Sequence, residues 1–252
     1  MKNDLEIFRQ LDENYIPDHI FECDNGLEVP ALQIGLQANI VEAPFVCFGE
    51  QRRTYSMNGS GTLHFYTEDY RFNAVYEHPE KIMQHHPRNI IEPNFSLFQN
   101  TPVAYGFAQL YKKRWIARAM QERGIGVFVD LNVAPKFYQL NLLGVPKGWG
   151  SFATRGYSDR LNVLEYEYEI AKFVAGGNKL IFVVYGGGEI CRGFCQQHKC
   201  VYITPVIAIK NKIKAMKEIK DSIFQIENLY KEQAIKALFE KQVLDYSLKL
   251  TE

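Results

Sequence analysis

Short apolar runs recur along the chain, and each ends in a polar or glycine-bearing cluster. Leu63-His64-Phe65-Tyr66 leads into Glu68-Asp69-Tyr70-Arg71, Ile90-Ile91 into Glu92-Pro93-Asn94, and Gly126-Val127-Phe128-Val129 into Asp130-Leu131-Asn132. Ser151-Phe152-Ala153-Thr154 leads into Arg155-Gly156-Tyr157, and Leu180-Ile181-Phe182-Val183-Val184 into Tyr185 and three glycines. Their length and their β-branched and aromatic content predict strands. Between them the apolar period lengthens to three or four. Thr101-Pro102 is a helix start, and the helix it opens runs to about Arg123 before Gly124. On it Ala104, Phe107, Tyr111 and Trp115 mark an apolar face, and Lys112, Lys113, Arg114 and Arg118 a polar one. Leu161 to Val174 is a second helix, with Leu164, Tyr168 and Ala171 on one side and Gly176-Gly177 at its end.

Strand alternating with helix predicts an α/β fold built from βαβ units around a largely parallel sheet. An open three-layer sheet and an irregular barrel both satisfy the pattern. In either, the carboxyl ends of the strands share one rim, where ligands gather in such folds. Residues 1–205 read as this α/β domain. Within it 1–42 is an irregular lead-in with a turn or two of helix near Asp4 to Leu11, and Phe45 to Phe48 is a further buried strand. Gln51 to Gly61 is a flexible loop, Phe72 to Gln84 a short helix interrupted at His78-Pro79, and Asn132 to Gly148 a loop placed to overhang the rim. After Pro205 neither proline nor glycine occurs, so 206–252 is expected to be a helical extension. Its residues Ile209, Ile213, Met216, Ile223, Ile226 and Tyr230 approximate a coiled-coil seam broken by Lys220. The helix therefore packs on its own domain or on a second copy, which makes a homo-oligomer one expected assembly. The lysines at 210, 212, 214, 217 and 220 form a solvated face or a contact for an acidic partner.

Composition narrows the class. The chain has 252 residues, of which 46% are hydrophobic and 13% aromatic, enough for a substantial core. Lys and Arg number 29 and Asp and Glu 29, which lowers the reading of a sequence-nonspecific nucleic-acid coat and leaves a local basic patch open. No apolar run reaches the length of a membrane span, and the first residues lack a secretory h-region. A cytoplasmic chain with its five cysteines reduced is the expectation.

Candidate chemistry lies at the strand ends. His64 and Tyr66 share a strand face, with Asp69 and Arg71 just beyond. Glu92 and Asp130 each follow an apolar strand directly. Asp69, Glu92 and Asp130, if they converge, supply the oxygen ligands that Mg²⁺ or Mn²⁺ prefers, as in metal-dependent phosphodiesterases; His64 is a candidate base. The competing reading is ion pairing and capping along the rim. Arg71 and Arg155 are candidate phosphate-binding groups, since guanidinium matches phosphate geometry. Gly186, Gly187 and Gly188 join a strand to a helix start and offer backbone donors to an anion, or simply permit a tight turn. The run matches neither a Walker loop nor the dinucleotide fingerprint. Cys191, Cys195, His198 and Cys200 are four soft donors within ten residues, a possible zinc set, although the usual Cys-x2-Cys knuckle is missing. Core packing of the thiols is the alternative.

Several of these segments together resemble a family of phage and plasmid proteins, domain of unknown function 4417. The resemblance runs from Leu63 to Phe72, through Pro93-Asn94-Phe95-Ser96-Leu97-Phe98, Arg114 and Arg118, then Gly124 to Val127, Thr154-Arg155-Gly156 and Val184-Tyr185-Gly186. The family typically has Asp where this chain has Asn94. It implies a mobile genetic element in a bacterial cytoplasm. With the strand-end groups it leads to the expectation of a protein that handles nucleic acid or nucleotide phosphates, in replication among other settings. A non-enzymatic protein that associates through 206–252 is the alternative.

Overall fold

The computed structural model describes residues 21–50, 57–207, 209–211 and 213–224. The chain divides into two compact units, Met1–Ile203 and Thr204–Glu252. Among its described residues the first carries seven strands: β1 (Phe45–Cys47), β2 (Thr62–His64), β3 (Asn89–Ile91), β4 (Gly126–Asp130), β5 (Ser151–Arg155), β6 (Ile181–Tyr185) and β7 (Val201–Ile203). They form one sheet in sequential order, every neighbour parallel. Five α-helical segments connect them: α1 (Glu80–Met83), α2 (Val103–Gln121), α3 (Tyr138–Asn141), α4 (Leu161–Ala175) and α5 (Gly188–His198). The α/β class read from the alternation is the fold observed.

The sheet is strongly curled. The rings of Phe45 on β1 and Tyr185 on β6 lie 6.0 Å apart. In a flat sheet these strands, five steps apart at about 4.8 Å each, would be separated by about 24 Å. His64 on β2 is closer still to Tyr185, at 4.6 Å between centroids. Sequential parallel order and this curvature give a half-barrel; among the described residues no ladder joins β7 to β1.

Alternation along each strand sorts the core into two layers. Inward, Ala38, Tyr66, Ile91, Phe128, Ala153 and Val183 pack within the curl. Outward, Leu63, Ile90, Val127, Val129, Phe152 and Val184 meet the helices through Trp115, Ile116, Leu164 and Phe194. Cys191 and Cys195 belong to this outer layer.

Local structure departs from the sequence expectations in three places. The segment read as a helix over Phe72 to Gln84 is one 3-10 turn, Asn73–Val75, followed by the single turn α1, and a further 3-10 turn, Asp69–Arg71, precedes it. Pro102 is the N-cap of α2, and the Thr101 hydroxyl instead accepts a hydrogen bond from the Phe98 amide at 3.0 Å. The buried face of α2 also differs. Lys113, Arg114 and Arg118 are buried while Ala104 is exposed. Two carboxylates at the strand ends draw Lys113 and Arg114 inward, Arg118 pairs with Glu122 one turn along the helix, and charge pairing overrides the apolar period.

In the second unit, 206–224 is helical over its described residues. Ile213, Met216, Ile219 and Ile223 are exposed there. The seam positions Ile226 and Tyr230, the Asp4 to Leu11 helix and the first part of the Gln51 to Gly61 loop lie outside the described residues.

Candidate anion site at the strand ends

The carboxyl ends of β2 to β5 and the start of α4 enclose a pocket of ≈ 400 Å³. The loop after β2 contributes Thr67 and Glu68, the loop after β3 Asn94, Ser96 and Phe98, and the loop after β4 Asn132 to Pro135. Arg155 and Tyr157 come from the end of β5, and Arg160 and Glu167 from α4 and its N-cap. Parallel strands in sequential order put these loops on one rim.

Two guanidiniums flank one ring at the mouth. Arg155 lies 5.5 Å and Arg160 5.2 Å from the Tyr157 centroid. Arg160 makes a loose pair with the exposed Asp159 at 3.8 Å. Arg155 makes no ion pair among the described residues. Arg71 closes the 3-10 turn that Asp69 opens, on the loop after β2; its charge and that of Arg155 both act to lower the pKa of the Cys47 thiol, which burial nonetheless pushes up to about 11.

Asp69 holds the rim together. Its carboxylate accepts from the Ser96 amide and from the Ser96 hydroxyl, both at 2.9 Å. The turn after β2 is thereby fixed to the loop after β3, and both carboxylate oxygens are engaged.

Glu167 is the residue the sequence reading missed. It is 2% exposed and stands on the α4 face that carries Leu164 and Ala171. A carboxylate at an apolar-stripe position was the available signal. The Thr154 hydroxyl lies 2.6 Å from one of its oxygens and the Tyr138 hydroxyl 3.4 Å from the other. Burial pushes its pKa up to about 8, against these hydrogen bonds and with a further push from Asp130. The group is therefore a neutral acid at pH 7, and it adds no negative charge to the pocket that it lines.

Glu92 and Asp130 form a different cluster, buried under the same strand ends. Arg114 Nη1 is 2.7 Å from Glu92 Oε1. Lys113 Nζ is 3.7 Å from Glu92 and 3.3 Å from Asp130 Oδ2, and it donates to the Asp130 carbonyl at 2.8 Å. Tyr66 donates to Asp130 at 3.0 Å, and the Asp130 amide donates to Glu92 at 3.1 Å. Two carboxylates and two cations cancel. Burial pushes the Glu92 carboxyl up and the Arg114 guanidinium down, and each is opposed by the other's charge. Burial likewise raises Asp130, against Lys113.

The structure thus separates the residues that the sequence groups. Arg155 lines the pocket, Asp69 anchors a pocket loop, and Arg71 closes the turn that Asp69 opens. Glu92 and Asp130 are ion-paired in the interior. His64 is buried within the curl, stacked on Phe45 at 4.6 Å. Gly186, Gly187 and Gly188 all have positive φ, at 82°, 82° and 68°. A Cβ on Gly187 would stand 2.3 Å from Cys191 Sγ, so that glycine lets the α5 thiol pack beneath the turn. Glu189 at the start of α5 pairs with Arg192 at 3.4 Å.

Cys191, Cys195, His198 and Cys200 are not grouped as a metal-ligand set in this structure. Cys191 and Cys195 are buried in the outer core layer, and the His198 ring packs on Phe194 at 4.3 Å and Tyr168 at 5.0 Å. Burial raises all three thiols, Cys195 to about 12 and Cys200 to about 11, which keeps them protonated. Among the described residues no three His, Cys, Asp or Glu side chains are grouped to hold a metal ion. Neither the zinc expected at the cysteines nor the Mg²⁺ or Mn²⁺ expected at the acids finds a ligand set there. Among the described residues no helix is long and apolar enough to cross a membrane.

Comparison with known proteins finds relatives among phage proteins. The Gene 1 protein of Mycobacterium phage L5 is 30% identical over 132 residues, covering 51% of this chain and 56% of that protein. The Gene 1 protein of Mycobacterium phage D29 is 30% identical over 135 residues, covering 51% of this chain and 48% of that protein. The chain thus matches about half the length of these curated relatives. No solved structure matches it. The profile described as Domain of unknown function (DUF4417) matches residues 21–174, a span that contains every residue lining the pocket and excludes α5 with its cysteines. That span is more than half of the chain, which therefore belongs to the DUF4417 family.

Proposed function

We propose that this is a phage-type protein whose strand-end pocket binds the phosphate of a nucleotide or nucleic acid. The observation that carries the reading is Arg155: a guanidinium at a pocket mouth with no ion-pair partner among the described residues. Arg160 stands beside the same ring. An unpaired fork donor at a concave site matches phosphate or carboxylate bidentately. Neutral side-chain amides from Asn94 and Asn132 suit the remaining oxygens, and neutral Glu167 removes the repulsion that its own ionised carboxylate would impose. Calorimetric titration with pyrophosphate tests it. Arg155→Ala should weaken binding at least about tenfold, the scale of one charge-assisted hydrogen bond. Equal affinity in wild type and variant refutes the reading.

A second reading is favoured by residues 206–224, whose exposed Ile213, Met216, Ile219 and Ile223 lack a covering surface among the described residues. On it the chain associates with a second copy through this helix. Sedimentation should then give a concentration-dependent mass for the full chain; a monomer at every concentration removes this reading.

A further inference from the structure

We propose that the rim around the pocket is a binding track for single-stranded nucleic acid, with bases stacked on Tyr70 and Phe98 and phosphates held by Arg71, Arg155 and Arg160. The inference rests on the pocket's being a phosphate site and extends it to a polymer. Tyr70 is 72% exposed and Phe98 63% exposed, although both rings lie at a rim whose strands are otherwise buried. A single exposed aromatic residue is commonplace. Here the two rings lie on loops that Asp69 fastens together through its two bonds to Ser96. Phe98 lines the pocket itself, and the Arg71 guanidinium lies 5.7 Å from the Tyr70 centroid. Tyr157, with Arg155 and Arg160 beside it, repeats the pairing on the loop after β5.

Planar faces interleaved with cations reproduce the base–phosphate alternation of a polynucleotide. Single-strand binders combine aromatic stacking platforms with a cationic groove in this way. A duplex hides its base faces, so the exposed rings favour an unpaired strand. The formal charge of the chain is zero, so no long-range basic field contributes and the affinity must come from these few groups. Three phosphate contacts on a single strand imply a slope of log K against log salt of about −2.

The test is fluorescence anisotropy with a labelled oligothymidylate of about 12 nucleotides, within the usual span of a single-strand site. The corresponding duplex and unlabelled pyrophosphate are the companion probes. Tyr70→Ala should weaken the oligothymidylate about tenfold, the cost of one lost stack, and leave pyrophosphate binding and thermal unfolding unchanged; Phe98→Ala, in the pocket wall, should weaken the oligothymidylate by a similar factor. Arg155→Ala should weaken both ligands, and the duplex should bind less tightly than the single strand. If pyrophosphate binds but the aromatic variants hold oligothymidylate as wild type does, or the duplex binds equally well, the track is refuted and the phosphate pocket stands. If neither pyrophosphate nor oligothymidylate binds, both fail together.

Discussion

Two groups of charged residues lie within a few strand-ends of one another and do opposite things. In the interior, Glu92, Asp130, Lys113 and Arg114 cancel each other completely, each within 4 Å of a partner. At the rim, Arg155 has no ion-pair partner among the described residues, and the one deeply buried acid that faces the pocket is held neutral. Residue type alone does not distinguish them. What differs is whether charge is consumed inside the protein or left available to a ligand. Carboxylates that directly follow apolar strands look catalytic in sequence, yet here they hold a helix to the sheet.

The comparison is most severely broken by removing one member of the interior cluster. Lys113→Met leaves Glu92 with Arg114 alone and takes from Asp130 its nearest cation. Unfolding in urea should show a loss of about 3–5 kcal/mol, the usual cost of breaking a buried pair by one partner. A loss below about 1 kcal/mol would show that the cluster is not structural.

Glu167 gives the next largest effect. Its folded pKa of about 8 stands above the ordinary glutamate value of 4.5 that the unfolded chain approximates. Between those values the native state keeps a proton that the unfolded state has released, so stability falls as pH rises from about 4.5 to 8 and is level above. The slope per shifted group is at most about 1.4 kcal/mol per pH unit. Glu92 and Asp130 are shifted in the same direction, so the difference between wild type and Glu167→Gln isolates this one group. The variant should lose part of the decline. Wild-type affinity for pyrophosphate should also drop above about pH 8, as the acid ionises against the anion, and the Gln variant should be spared.

Asp69→Ala gives the smallest effect. It removes both bonds to Ser96 at a partly exposed site, so stability should fall by about 1–2 kcal/mol, the low end for two hydrogen bonds. Oligothymidylate affinity should fall more than pyrophosphate affinity, because the loops that lose register carry Tyr70 and Phe98 rather than Arg155.

Much of the framework was legible in the sequence. Five apolar runs with polar ends predicted strands, and all five are strands of one parallel sheet. The helix read over Leu161 to Val174 is α4, and Gly176 closes it in the left-handed conformation as its position implied. The degree of curl was not legible, because alternation fixes which residues share a face and not how far the face bends. Aromatic contact between Phe45 and Tyr185 is a long-range result. The α2 lysine and arginine were misplaced for a related reason: periodicity assigns charge to solvent unless the opposite charge is known to wait inside. Glu167 was passed over because its stripe was read from its apolar members, and a polar residue within a stripe was not weighed. Asp69, Glu92 and Asp130 share sequence logic at strand ends, but strand parity sends Glu92 toward α2, and the hydroxyl and amide of Ser96 occupy Asp69.

The division between consumed and available charge is tested most directly by pyrophosphate titration of the Arg155→Ala, Arg160→Ala double variant, with its urea unfolding measured alongside. The predicted result is a loss of affinity of at least about tenfold with stability within about 0.5 kcal/mol of wild type, as expected for surface substitutions. Unchanged affinity in a folded double variant would contradict the account and move the anion site away from this rim.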